Sequence, residues 1–288
     1  MNLELLQSAV TGMKTAFEDA VVSRKFKGRC YSNGQLAKEA LIRSQRLIMG
    51  IHEVTKRSLH DELTNLGRDF SMHPPLEASA PELSICGFLK AKKQDVVLLM
   101  DGADAVPESI VEGPMAGAED EVGFATSERA IVVGVRSQMS SIAKNFDTLM
   151  ERAFAETLNM RLRLPRLVMG EVYVLPIVEY RDDEMRRNRV AWEARPVKVA
   201  KFVRTFLGIS GRVATDETGE LYKYERSALV LVDFRESPPR IFLRGDELVE
   251  AGLLDVAGAA QFGKLSPENF AGDLVAAHSR RHPPSCTD

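Results

Sequence analysis

The run Ile131-Val132-Val133-Gly134-Val135 constrains this chain more than any other segment. An unbroken apolar stretch of this length, with no alternation, is a strand buried on both faces, and such a strand needs a layer of structure on either side. It ends abruptly in Arg136-Ser137-Gln138. Residues 141–163 then place Ile142, Phe146, Leu149, Ala153, Phe154 and Leu158 at helical spacing, and "LVMGEVYVLPIVEY" (167–180) is a second buried strand. Strand, helix and strand in that order make a crossover unit, so 167–180 is expected to pair parallel to 129–138.

The rest of the chain is read around this unit. Residues 1–23 carry Leu3, Leu6, Val10, Met13 and Phe17 at helical spacing. "GRCYSNGQ" is a turn in which Ser32 or Asn33 caps a helix expected over 34–66, with Gly50 as its weak point. "SMHPPLEASAPE" is read as a linker. Strands are expected at 83–90 and 95–102, the second ending in an Asp-Gly turn, then a long loop over 103–128. A charged segment (181–195), a helix near 196–210, a central strand at 227–234, and an edge strand with a short helix complete the pattern. The division expected is a helical region over 1–72, an α/β domain over 80–275 and a disordered tail over 276–288.

Composition narrows the function classes. Three cysteines, Cys30, Cys86 and Cys286, form neither a metal-type pair nor a disulfide framework, and five histidines show no zinc spacing. No apolar run is long enough for a bilayer and the N-terminus lacks a signal-peptide layout, so a cytoplasmic location is expected. A net charge of −3 is neutral on nucleic-acid binding, but basic residues cluster around Arg24–Arg29, Lys90–Lys93, Arg161–Arg166 and Arg181–Arg189. Phosphate-loop, dinucleotide and nucleophile-elbow motifs are all missing.

What remains is an acid at one strand's start and polar groups at its neighbour's end. Asp95 opens "DVVLLMDG"; Arg136 and Gln138 share one face of the next strand; Glu151 and Glu156 follow on the helix. Carboxylates beside a cation suit Mg²⁺-dependent phosphodiester hydrolysis, in which acids hold the metal and the cation offsets phosphoryl charge. The same residues also admit a structural account: Asp95 caps a strand, and Arg136 pairs with Glu151 or Glu156. Lys144 and Trp192 are read either as DNA contacts or as solvated charge and packing.

Asp95, "VRSQ" and "KNFDTLMERAFAETLN", in an αβββαβ order over roughly 83–180, resemble the PD-(D/E)XK core of type II restriction endonucleases. The resemblance implies an α/β restriction-endonuclease-like fold: a mixed sheet flanked by helices, with an N-terminal helical region. It further implies Mg²⁺ as cofactor, double-stranded DNA as substrate and a homodimer, with dimer and DNA contacts from the N-terminal helices and 181–226. The catalytic set carried over is Asp95, Arg136, Gln138 and Glu151, with Asp95 and Glu151 on the metal. The sequence departs from the family pattern at three places. Gln94 precedes the acid, Gly134 stands where the second acid belongs, and Arg136 stands where the lysine belongs. Glu151 is the acid chosen to fill the gap, with Glu156 in reserve and Glu53 behind it. The alternative is a degenerate, non-cleaving DNA-binding protein.

Overall fold

The computed structural model describes residues 1–213 and 219–283. A six-stranded mixed sheet forms its centre. The strands are β1 (Phe70–His73), β2 (Val96–Met100), β3 (Ile131–Ser137), β4 (Val168–Pro176), β5 (Arg226–Asp233) and β6 (Arg240–Phe242). They lie side by side in sequence order, β1 at one edge and β6 at the other. β1, β2 and β3 form an antiparallel meander; β4 and β5 run parallel to β3; β6 turns back antiparallel.

The helices of ten or more residues are α1 (Leu3–Ser23), α2 (Gly34–Arg43), α3 (Met49–Asn65), α4 (Ile142–Arg161), α5 (Val199–Gly208) and α6 (Phe270–Arg281). Alternate strand residues sort to two cores, as strand geometry requires. Val96, Leu98, Val133, Val172 and Val230 face α1, α3 and α6. Val97, Leu99, Val132, Met169 and Leu229 face α4 and α5. The apolar run at 131–135 is thus buried on both faces, and its parallel pairing to β4 through α4 is as expected. Among the described residues, no helix is long and apolar enough to cross a membrane.

Four expectations are corrected. The helix over 34–66 is broken: Gln45 takes a left-handed conformation (φ 61°), and a short 3-10 turn at Arg46–Ile48 separates α2 from α3. The break falls at Ser44–Gln45, where Ser44 turns its hydroxyl onto the Leu41 carbonyl, and not at Gly50. The first strand of the meander is Phe70–His73, read partly as linker, because its backbone pairs with β2. The strand at 83–90 shrinks to Ser84–Cys86, which leaves the sheet and forms a hairpin with Ala91–Lys93. That hairpin docks on α4: Phe88 N–H donates to the Asn159 carbonyl, and a Cβ at Gly87 would lie 2.3 Å from Asn159 Nδ2. Finally, residues 276–281 of the expected tail are the last turns of α6, with Ala277, His278 and Arg281 buried. Residues 284–288 of that tail, including Cys286, lie outside the described residues, as do 214–218 of the segment assigned to DNA and dimer contacts. Asn33 caps α2 through Leu36 N–H (3.0 Å), as its sequence position suggests.

Candidate functional site

The polar site begins where β2 stops. The β2–β3 ladder runs only to the pair Val96 and Val133, while β3 continues against β4 to Ser137. The last residues of β3 therefore lose their partner on one side. Asp95 fills the gap: its Oδ2 accepts the Val135 N–H at 2.7 Å, taking the place of a backbone carbonyl. Asp95, Val135, Arg136 and Gln138 border a cleft of about 530 Å³ that α3 closes with His52. A smaller cleft of about 250 Å³ lies on the other side of Asp95 and His52. The buried His52 ring has its pKa lowered, by burial first, against the pull of Asp95 and Glu82, and its Nε2 has no hydrogen-bond partner among the described residues.

One row across the sheet gathers the charged residues. Antiparallel register carries Asp95 to the level of Gly134, and parallel register sets Gly134 opposite Glu171 on β4. Glu171 sits in the middle of a strand whose every residue is buried. Its Oε1 lies 3.3 Å from Arg136 Nη1, and its Oε2 is buried with no hydrogen-bond partner among the described residues. A Cβ at Gly134 would come within 2.3 Å of that Oε2. The space a side chain would take at Gly134 is therefore occupied by the Glu171 carboxylate from β4. A valine at 171 would contribute ~1.5–3 kcal/mol of burial, whereas an ion there costs several kcal/mol. Stability does not account for the choice of glutamate.

Cations surround this acid. Arg136 pairs with Glu171 and also with Glu156 Oε2. Lys92, on the hairpin, pairs with Glu156 Oε1. Burial works against the Arg136 charge, but Glu171, Tyr224 and Asp95 outweigh it and hold its pKa above the ordinary value. Burial and the Arg136 charge push Lys92 down to about 8, against Glu171 and Asp95. Burial raises the Glu171 carboxyl, with Arg136 and Lys92 opposing.

The other expected residues fall as follows. Gln138 has both amide ends engaged: Oε1 accepts from Tyr173 Oη at 2.8 Å, and Nε2 donates to the Ser141 carbonyl at 3.1 Å. It braces the entry to α4, which leaves little to orient a water. Glu151, the favoured acid, is exposed and makes no ion pair among the described residues; Glu156 is the one at Arg136. The helix period explains this. Ala153 and Thr157 lie on the buried face of α4. Glu151 is two residues before Ala153 and so about 160° away around the axis, whereas Glu156 flanks that face by about 60°. Glu53 is occupied with Lys56, Arg57 and the Glu77 N–H. Trp192 packs beside Tyr180, their ring centres 5.9 Å apart, and rests on the core. Of the basic clusters, Arg161 is buried on Glu225, and Arg163, Arg181, Arg187 and Arg189 bond nearby acids. Arg46 and Arg152, which border the two clefts, have no ion pair among the described residues.

Two contributors were not expected at this site from the sequence. Lys92, one of the Lys90–Lys93 cluster, arrives through the hairpin. Glu171 had one available signal: a carboxylate interrupting "LVMG-VYVLP", an otherwise apolar strand. Among the described residues, no three His, Cys, Asp or Glu side chains gather as a metal cage. Comparison with family models, with characterised proteins and with solved structures gives no match.

Proposed function

We propose that the chain is a Mg²⁺-dependent, site-specific deoxyribonuclease of the type II restriction kind, hydrolysing phosphodiester bonds in double-stranded DNA. The observation that supports it best is the pair of carboxylates, Asp95 and Glu171, set on either side of a glycine beside a cationic side chain. The residues fit a hard cation. Glu171 Oε2 is a buried oxygen lacking a partner, and the second oxygen of Asp95 is free of hydrogen bonds among the described residues. Mg²⁺ takes oxygen donors and commonly rests on one or two carboxylates, with waters and substrate phosphate completing the shell. Bound between Asp95 and Glu171, it would supply Lewis acidity toward a phosphoryl oxygen and a water of lowered pKa.

The protein's own groups do the rest. Val135 N–H fixes one Asp95 oxygen and leaves the other without a hydrogen bond among the described residues. Arg136 stays cationic at any working pH, so it offsets phosphoryl charge and takes no proton. Arg46 and Arg152 offer further positive charge along the clefts that meet at Asp95. A homodimer would present two such sites to the two strands of a palindrome. The test is cleavage of supercoiled plasmid with and without Mg²⁺, in parallel for the Asp95→Ala variant. Wild-type cleavage in Mg²⁺ alone, lost in the variant, is expected; an intact plasmid under all conditions removes the hydrolase. One observation favours a second reading, a non-cleaving DNA-binding protein: Arg136 is held between Glu156 and Glu171.

A further inference from the structure

Glu156 does something unusual for a helix-surface acid. Its side chain is only 9% exposed, and each of its two oxygens meets a different cation, Lys92 on one side and Arg136 on the other. The two cations come from separate elements, a hairpin outside the sheet and the end of β3. Each keeps an edge open to solvent, with side chains 31% and 23% exposed. Two cationic donors converging on two oxygens of one centre is also the way a phosphodiester's non-bridging oxygens are held.

We propose that Lys92 and Arg136 form a subsite for a backbone phosphate of nucleic acid, and that the Glu156 carboxylate fills it in the free chain and is displaced by the incoming phosphate. The idea rests on the nuclease reading for its choice of ligand, but the subsite itself stands on geometry. Charge supports it. Asp95, Glu171 and Glu156 together outnumber Lys92 and Arg136, so with all five ionised the cluster is negative and repels phosphate. Without the Glu156 charge it is balanced, and Arg46 and Arg152 at the neighbouring cleft walls add positive charge against Glu82. The partnerless Glu171 Oε2 beside Arg136 points the same way: the cluster is not closed on itself. The arrangement also guards the site, because both cations are released together and only by a ligand able to outbid a carboxylate.

The test uses the whole chain, a short mixed-sequence DNA duplex and EDTA, so that binding is read without hydrolysis. Glu156→Gln should bind the duplex at least about ten-fold more tightly than wild type, with a steeper fall as salt rises. Glu156→Asp, too short to reach both cations, should fall between them. A third measurement needs no variant: amine acylation of wild-type Lys92, followed by mass spectrometry, should slow under saturating duplex, with exposed Lys93 as the internal reference. A folded Glu156→Gln that binds no better than wild type would overturn the subsite, and so would Lys92 labelling indifferent to duplex. Plasmid cleavage in Mg²⁺ separates the two claims. Tighter binding without any cleavage leaves the subsite and removes the hydrolase; cleavage without tightening does the reverse.

Discussion

Two buried glutamates, 54 residues apart in sequence, sit in opposite kinds of surroundings. Glu225, just before β5, is completely enclosed and bonds in every direction. Its Oε1 meets Arg281 and Arg212, its Oε2 meets Arg161, and the Met169 N–H adds a bond at 2.6 Å. These arginines come from α4, α6 and the stretch after α5, so one carboxylate ties three segments together. Glu171, in mid-strand, has one oxygen on Arg136 and the other without a hydrogen bond among the described residues. Its cations reach solvent, and its neighbour Asp95 opens onto a cleft. Saturation marks an acid that holds the fold, whereas an acid left short of partners beside a cleft marks a place where something else is meant to bind.

The comparison breaks first at Glu225. Glu225→Gln removes the carboxylate charge that three buried guanidiniums share and should cost about 3–5 kcal/mol, read by urea unfolding. A loss under about 1 kcal/mol would show that backbone carbonyls suffice and that the knot is not special. Glu171→Gln is the counterpart. Its stability should shift by less than about 1 kcal/mol, since a carboxyl whose pKa burial already raises gives up little on losing its charge. Mg²⁺-dependent cleavage should fall by at least about 100-fold, equivalent to about 2.7 kcal/mol of barrier. Equal destabilisation at both positions would erase the distinction drawn here.

Acid should act on the saturated side of the molecule. Burial lowers both His278 and His282 to about 4, and their Nε2 atoms lie against the carbonyls of Arg129 and Arg166. A histidine with a depressed folded pKa binds more protons unfolded. Its contribution is therefore complete above the ordinary value of 6.5 and is lost as pH falls through the window toward 4. The loss should be on the order of 1–3 kcal/mol. Amide hydrogen exchange should show α6 opening before the β2–β3–β4 centre; flat stability from pH 7 to about 4 would remove the effect. The smallest change expected is at Glu151. Glu151→Gln should leave stability within about 0.5 kcal/mol and cleavage unchanged, because the residue faces solvent. A large loss there would return the second acid to the helix and detach Glu171 from the chemistry.

The elements of the crossover unit are legible because each obeys a local rule. An apolar run without alternation is a doubly buried strand, and a 3.6-residue pattern between two such runs is the helix joining them. Asp95, Arg136 and Gln138 could be picked out for the same reason, as polar residues next to such runs. Glu171 and Lys92 could not be placed that way. Glu171 reaches the gap at Gly134 through pairing between strands 37 residues apart in sequence. Lys92 reaches Glu156 only because its hairpin leaves the sheet and docks on α4.

The chain's own pattern therefore determined the alternation of strands and helices, the parallel return after α4 and the presence of acid and cation at one end of the sheet. These follow from hydrophobic periodicity and from the short reach of a helix connection, both properties of neighbouring residues. Tertiary structure alone decided which carboxylate stands beside Asp95, which helix acid meets Arg136, and that Gln138 is used up as a brace. Those outcomes depend on strand register and on the rotation of α4 about its axis, where a shift of one residue changes which side chain faces the site.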